Sequence, residues 1–418
     1  TCVRYDRAGR TTRVVRVGMG RNESTSTVYG VGGNPLVAET TITTGSDVAT
    51  SRTELDLAGR TVSTTDRFGV VTRMTYDPRT GNPATSTVTA PGAAPIVTTT
   101  EYGADARLVR VLVDGAPAAT LTYNPDGTVG EVSYGNGTSA RIGYDDSNRA
   151  SSMVWRTSDG HTISSAREIA AGGRILSAIS ALDGASSRYD YTYDDARHLA
   201  AASLSAGLTD AHTWSFAYDR NGNRTAQVRD GVTSTYTYDV ADRLTATTDP
   251  ALAGAVEYDA RGNMTRLGSD TFTYDAADGL IAATDGSVTL TFERDATGRV
   301  ISRTLRDAAG ESTLRYASSG VLLDCSGRAI TAEIPLPGGA TIERSLTSPA
   351  SSTWAYDDLS ANRLWSATTA GALVGPLRVY DPFGTPLTAA APASAGTRDL
   401  AWQGAFGHET QPLRTPFL

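Results

Sequence analysis

Apolar and polar positions alternate in short runs along this chain. Trp214, Phe216 and Tyr218 lie two residues apart, with Ser215 and Ala217 between them. Tyr189, Tyr191 and Tyr193 repeat the pattern, as do Tyr236 with Tyr238 and Phe272 with Tyr274. A period of two puts such side chains on one face of a β-strand, and the aromatic and threonine-rich content of the runs favours strand over helix. Each run breaks at an Asp, whose carboxylate accepts a hydrogen bond from the backbone two residues on. Gly or Asn follows where the chain needs positive φ. A second strand then begins, often with Arg, as in RTAQVR and RVISRTL, and a shorter turn such as RDG at 229–231 sends the chain back. Each unit is therefore expected to be a β-hairpin with about six residues per strand and a bulged loop of about three to five residues. No segment reads as a long amphipathic helix. A short one is expected near 166–179, interrupted by AGG at 171–173.

The unit recurs. An aromatic residue and Asp, two or three spacers, Gly or Asp, then Arg or Asn and an apolar residue appear at Tyr5/Asp6, Tyr76/Asp77, Tyr144/Asp145, Tyr193/Asp194, Tyr218/Asp219, Tyr238/Asp239, Tyr258/Asp259 and Tyr274/Asp275. Variants start at Leu55, Tyr123 and Phe292, and YDPFG follows at Tyr380/Asp381. Positions 218, 238, 258, 274 and 292 are separated by 20, 20, 16 and 18 residues, a loose period that calls for a repeat architecture. One hairpin is not stable alone in water, but a row is, where each edge is covered by the next. Strands twist, so a sheet this long must curl or close. The expected fold is all-β, a spiral of antiparallel hairpins that forms a hollow, curled or barrel-like shell. Each repeated Tyr is expected to stack on its counterpart in the next hairpin, a ladder contributing roughly 0.2–1 kcal/mol per pair. Replacing Tyr218, Tyr238 and Tyr258 together by Ala should then lower the melting temperature sharply.

Composition narrows this picture. Of the 418 residues, 39% are hydrophobic and 42 are Gly, which favours turns over thick cores. Tyr outnumbers Phe, 18 to 7, and its polar tip suits surfaces that are half packed and half wet. All 37 basic residues are Arg and the formal charge is −8, so the basic footprint of a nucleic-acid binder is absent. No run of eighteen apolar residues is present, and no membrane span is expected. The start, TCVRYDRAGR, reads as the middle of a repeat, so the chain is expected to be a piece of a longer protein. Cys2 and Cys325 match no disulfide or CxxC pattern.

At Tyr-Asp followed by Gly and Arg or Asn every twenty residues or so, the chain resembles the YD repeat of the rearrangement-hotspot (RHS) proteins, the teneurins and the BC shells of insecticidal Tc toxins. YGNGT at 134–138 is similar to RHS chains. So is the ordered tail of LPGGATIE (336–343), WAYDDLSANR (354–363), YDPFGTPL (380–387) and WQGAFGHET (402–410). The resemblance implies a YD-repeat hairpin array over 1–320 and a shell-closing, core-associated segment over 321–418. It also implies a hollow cocoon around a C-terminal toxin or other cargo, in a secreted or cell-surface bacterial protein, with release by autoproteolysis at a DPxGL-type motif. The tail departs from the pattern: LSAN stands at 359–362 where relatives often have Leu-His-Gly-Asp, and no such later core motif is found. Cargo and cutting are thus implied for the parent protein only.

The candidate chemistry is sparse. Asp381 in DPFG suggests an aspartyl self-cleavage site, which needs a partner carboxylate; turn chemistry explains Asp-Pro and Gly without one. DRNGN at 219–223 has the alternate oxygen donors of a calcium loop, but its Gly is fourth and no Glu closes the loop. His161, His198, His212 and His408 share no ligand spacing. GVGGNP at 30–35 lacks the strand–helix context of a nucleotide loop and reads as a plain loop. No catalytic residue, cofactor or metal site is expected. The leading expectation is a non-enzymatic encapsulating shell. The alternative is an adhesion module that binds wall glycan or a surface protein, and an autoproteolytic aspartyl site is the weakest option.

Overall fold

The structure is a computed structural model that describes residues 1–17, 22–44, 47–295 and 298–388. It is almost entirely antiparallel β-strand. Among the described residues, helix is confined to three 3-10 turns, Val31–Gly33, Ser318–Gly320 and Pro349–Ser351. The first of these sits in the GVGGNP loop. The helix expected near 166–179 is instead two paired strands, Thr162–Ile169 and Ile175–Leu182, joined through a turn at 170–174. The physical reason is the spacing: Ile163 and Ser165 are buried at a period of two, and Gly173, at φ 83°, supplies the turn.

Chain contacts divide the molecule into two compact units that interleave in sequence. One comprises Thr1–Ala118, Phe272–Ile334 and Arg344–Ser351; the other comprises Ala119–Thr271, Pro335–Glu343 and Ser352–Leu418. Within each, strands pair with their sequence neighbours. In the first unit, Asp47–Leu55 pairs with Thr61–Thr65, which pairs with Val71–Tyr76, and so on to Leu108–Val113. In the second, the same meander runs from Ala116–Tyr123 through Val232–Tyr238.

The alternation foreseen for these strands is present. In His212–Tyr218, Trp214 and Phe216 are buried while Thr213, Ser215 and Ala217 are exposed. In Val232–Tyr238, Ser234 and Tyr236 are buried and the residues between them exposed. One face of these strands is therefore packed and the other wet, as expected of antiparallel sheets. The packed face of the second unit carries a cluster of Ala202, Leu204, Trp214, Phe216 and Val379, flanked by Tyr189, Tyr191 and Tyr218.

Successive hairpins break register one residue before each corner, between Glu54 and Leu55, Thr192 and Tyr193, Ala217 and Tyr218, and Thr237 and Tyr238. The corner is a four-residue turn whose last residue lies in the left-handed region. At Asp6, the Gly9 N–H donates to the Asp6 carbonyl and the Asp6 N–H to the Arg10 carbonyl, and Gly9 has φ 77°. This is the bulged three-residue hairpin loop. The opposite ends of several hairpins use two-residue turns with positive φ at both positions: Asp114-Gly115, Asp183-Gly184 and Asp230-Gly231, the Asp-Gly signature of tight hairpins. The RDG turn read from the sequence is one of these.

One corner is misplaced by the sequence reading. The variant unit read at Phe292 turns at Asp295, with the register shift between Glu293 and Arg294. Phe292 is a buried strand residue, and the corner lies two residues on. Measured from Tyr274 to Arg294, the step is 20 residues, not 18.

Candidate functional site

The repeated Asp is the hub of each corner. Its Oδ1 accepts the backbone N–H of the second and fourth residues after it. This holds at Asp6, Asp56, Asp145, Asp219, Asp239, Asp259, Asp275 and Asp381. It holds equally at Asp66, Asp324 and Asp358, which the sequence reading passed over. Oδ2 faces the side chain at the fourth position. There it accepts from Arg10 (2.8 Å), Arg60 (2.7 Å), Arg149 (2.8 Å) and Arg243 (2.7 Å), or from an amide at Asn223, Asn263 and Asn362. His198 stands in this place beside Asp194, at 3.1 Å. Asp77 turns a loop one residue longer and accepts the N–H of Arg79 and Thr80. The Arg10 N–H, and then its guanidinium, hold the Asp6 carboxyl below the usual range. Asp239 is lowered first by the Arg243 guanidinium and then by its N–H.

The repeated Tyr does not form the expected ladder. Among the described residues, no ring contact joins Tyr218 to Tyr238 or Tyr238 to Tyr258. The reason is distance: consecutive corners lie two strands apart, about 9.6 Å, beyond ring stacking. Each hydroxyl instead donates to the backbone carbonyl of the fifth residue after the preceding corner. The acceptors are Thr61 for Tyr76, Val129 for Tyr144, Ile175 for Tyr193, Leu199 for Tyr218, Arg224 for Tyr238, Leu244 for Tyr258 and Arg363 for Tyr380, at 2.6–3.0 Å. Tyr29 makes the same bond to Thr11 at 3.1 Å. The ring lies against the fourth-position side chain of that preceding corner. The Arg10 guanidinium is 4.1 Å from the Tyr29 centroid, Arg60 is 4.3 Å from that of Tyr76, and the His198 ring is 4.7 Å from that of Tyr218. Asp, the fourth-position side chain and the next Tyr thus form one clasp between neighbouring hairpins, with a cation–π contact inside it where that side chain is Arg.

The exceptions obey the same logic. Where the next corner has Arg294 in place of Tyr, its guanidinium donates to the Leu280 carbonyl, again the fifth residue after Asp275. Where the next corner is Ile169-Ala170, Arg149 itself reaches both of their carbonyls at 3.1 Å. Tyr5 has no such acceptor and is 64% exposed. Its neighbour Asp6 nevertheless makes its corner. Tyr274, beside Asp275, closes a strand whose Phe272 is buried.

The histidines serve turns. His161 Nδ1 meets Asp183 and His212 Nδ1 meets Asp230 at 2.8 Å, beside the tight turns those carboxylates begin. The Asp183 carboxylate hydrogen bond raises His161 above its ordinary value. His408 and WQGAFGHET lie outside the described residues. Among the described residues, no cluster of metal-ligating side chains occurs, DRNGN is an ordinary corner, and Cys2 and Cys325 are exposed and unpaired.

In the second unit the tail is fastened to the hairpins through YGNGT. The Tyr134 hydroxyl donates to the Pro337 carbonyl at 2.9 Å, Asn136 donates to the Tyr356 hydroxyl at 3.0 Å, and the Thr138 hydroxyl lies 2.6 Å from the same atom. Tyr356 stacks on Trp365 at 3.8 Å, and Trp365 meets Trp155 edge-on at 6.3 Å. All three are 1% exposed or less. Burial pushes the Tyr356 hydroxyl up to about 12. Beside this core, buried Arg363 pairs with Asp357 at 2.9 Å and Glu343 at 2.7 Å.

Next to the tail a cavity of about 310 Å³ opens between strands 175–204 and residues 358–382. Tyr189, Tyr191, Asp358, Ser360, Arg378 and Asp381 line it. Tyr189 and Tyr191 are parallel, 5.4 Å apart, and the Tyr189 hydroxyl donates to the Tyr380 carbonyl. Burial raises the Asp358 carboxyl above its usual range.

The Teneurin YD-shell family model matches residues 156–316, the stretch that contains the successive corners at Asp194, Asp219, Asp239, Asp259 and Asp275. The fold of the whole described chain matches the solved structure of TcdB2-TccC3 with a TM-score of 0.67 at 15% identity. That match covers 96% of this chain and 24% of the other. The chain carries a YD-shell segment over 156–316 and has the antiparallel hairpin fold of that solved structure. TcdB2-TccC3-TEV gives a TM-score of 0.65 at 16% identity over 97% of this chain and 22% of that one. TcdB2-TccC3-Cdc42 gives 0.63 at 16% over 96% and 23%. The chain therefore spans about a quarter of the length of the solved chains it matches. No curated protein sequence matches it significantly.

Proposed function

We propose that this chain is a stretch of wall in a non-enzymatic RHS-type shell, which encloses and protects a C-terminal toxin or other cargo of its parent protein. In this reading 1–320 build the wall and 321–418 close it. The observation that carries it is the clasp. A turn carboxylate, the side chain four residues on and the next tyrosine are used at corner after corner to hold one hairpin on the last, and the repeated aspartates are absorbed into turns. Asp381, the one aspartate suggested for self-cleavage, has both its turn N–H bonds and makes an ordinary corner. One of the solved relatives is described as TcdB2-TccC3 without its hypervariable C-terminal region, so a variable segment following the shell has a precedent in that protein. A parent protein of this kind is secreted or displayed at a bacterial surface.

The test is protection. The parent polypeptide is treated with a broad-specificity protease under native conditions. The segment that follows the shell should survive as long as the shell does, and should be digested at once when expressed alone. Equal digestion of the enclosed and the isolated segment would remove the encapsulation reading. A second reading, a surface module that binds wall glycan or a surface protein, is favoured by one feature, the tyrosine-lined cavity.

A further inference from the structure

We propose that His161 is a proton-operated latch, which fastens the tail turn at 368–373 to the hairpin ends of the second unit in mild acid and lets it loosen as the pH rises past neutrality. The inference rests on contacts within that unit and stands apart from the encapsulation reading.

Two hairpin corners grip the tail turn. Its own bonds run from the Thr368 N–H to the Ala372 carbonyl and from the Gly371 N–H to the Thr368 carbonyl. A Cβ on Gly371 would lie 2.3 Å from the Asn136 carbonyl oxygen, so the turn is seated closely on the 134–138 corner. It also meets the corner at 157–161. There the Ser158 N–H donates to the Gly371 carbonyl at 3.1 Å, and the Ser158 hydroxyl donates to the Ala370 carbonyl. Asp159 Oδ2 accepts the Leu373 N–H at 3.2 Å.

This corner departs from the repeat. Its hub is Thr157, whose Oγ1 accepts the His161 N–H at 2.8 Å, so the imidazole at the fourth position has no hub carboxylate to face. It pairs with two other acids. Nδ1 meets Asp183 Oδ2 of the tight turn at 183–184, and Nε2 lies 3.9 Å from Asp159 Oδ2. Asp183 and Asp159 are the charged groups that act on the ring, and the tail turn, TTAGAL, brings no titratable side chain to it.

The two ring nitrogens have different work. The Asp183 carboxylate keeps a proton on Nδ1, so the proton given up on neutralisation is the one on Nε2. A protonated ring is a cation between two carboxylates, with an N–H on each side. A neutral ring keeps the Asp183 bond and turns a lone pair towards Asp159. Attraction thus becomes repulsion at the carboxylate that holds Leu373. His161 is raised above its ordinary value, first by the Asp183 hydrogen bond. A raised folded value means that the contribution is complete below the unfolded value, about 6.5, and is lost as pH rises through the folded one. The pair is partly exposed, so its contribution is modest, and in a chain of this size the melting temperature hardly registers it. The effect is local to the turn.

Amide hydrogen exchange of the full chain is read at Leu373 and Ser158 from about pH 5 to 8, across the histidine range, and corrected for the intrinsic pH dependence of exchange. Protection at both amides should fall severalfold over that range. His161→Arg, a permanent cation, should hold protection high and flat; His161→Gln should leave it low and flat. His212→Gln removes the like pair with Asp230 and should leave the Leu373 profile as in the parent. Protection at Leu373 that does not change with pH in the parent overturns the proposal. So does a fall with pH that persists in His161→Arg or His161→Gln, or one that His212→Gln abolishes.

Discussion

The hairpin array and the fastened tail of the second unit hold together by opposite means. In the array, stability is spread thinly. Each hairpin adds one clasp at a half-exposed corner, and one face of each strand stays wet. At the tail it is concentrated, with Trp155, Trp365 and Tyr356 almost wholly buried in mutual contact and Arg363 held between two acids beneath the surface. The array is a sum of nearest-neighbour terms, as in other repeat proteins. The tail is a small globular core, where one lost side chain is felt throughout.

Acid should expose the array most of all. Among the described residues, thirteen aspartates are held below their ordinary value, most of them at corners and turns. A lowered folded value means that the unfolded chain takes up protons first. The stabilisation is therefore complete above the unfolded value, about 3.9, and is lost as pH falls through the lower folded values. Asp357 and Asp358 are raised by burial and act in the opposite sense, but they are two against thirteen. Melting temperature should be flat above about pH 5 and fall steeply below about pH 4. A protein as stable at pH 3 as at pH 7 would mean the clasps contribute nothing.

The tail should respond most to a single substitution. Trp365→Ala removes a ring that is 1% exposed and stacked on Tyr356. It should cost about 3–5 kcal/mol by denaturant unfolding, several times the effect of any one clasp. A loss below about 1 kcal/mol would place the tail on the same footing as the array and dissolve the contrast.

Much of the array was legible in sequence, and the tail was not. Strand alternation at Trp214, Phe216 and Tyr218 and the Asp-Gly turns depend on neighbours within a few residues, so a linear reading finds them. Of the corners it missed, those at Asp66, Ala170, Asp295, Asp324 and Asp358 lack Tyr in front, and the one at Gly103, with Ala106 at its left-handed position, follows Tyr102 but lacks the Asp. Their signal is a Gly or other left-handed residue three places after the corner, with Arg, Asn or a strand start at the fourth. The Tyr ladder failed because a hairpin adds two strand spacings, a three-dimensional distance that periodicity along the chain does not carry. The lock between YGNGT and Tyr356 joins residues more than two hundred positions apart. Nothing local in 134–138 points to it.

Within the array, Tyr238→Phe separates the two accounts of the repeated tyrosine. It keeps the ring that a ladder would need and removes the hydroxyl bond to the Arg224 carbonyl at 2.9 Å. The clasp account expects a loss of about 1 kcal/mol, the usual net worth of such a bond. An unchanged denaturation midpoint would return the tyrosine to a packing role.

The smallest effect has the opposite sign. Most corners place Gly at the left-handed position, but Ala361, three residues after Asp358, adopts φ 66° with a Cβ. An L-residue there is strained by roughly 1–2 kcal/mol, and Gly relieves this while adding roughly 0.4–1 kcal/mol of unfolded-state entropy. Ala361→Gly should therefore stabilise the chain by about 0.5–1 kcal/mol net. The same change at Ala106, φ 63°, tests whether the gain belongs to the corner or to its place in the molecule. Equal gains at both sites would mean that the corner is a self-contained unit wherever it occurs. A gain at Ala106 with none at Ala361 would mean that packing beside the buried tail, and not local backbone strain, sets the conformation there.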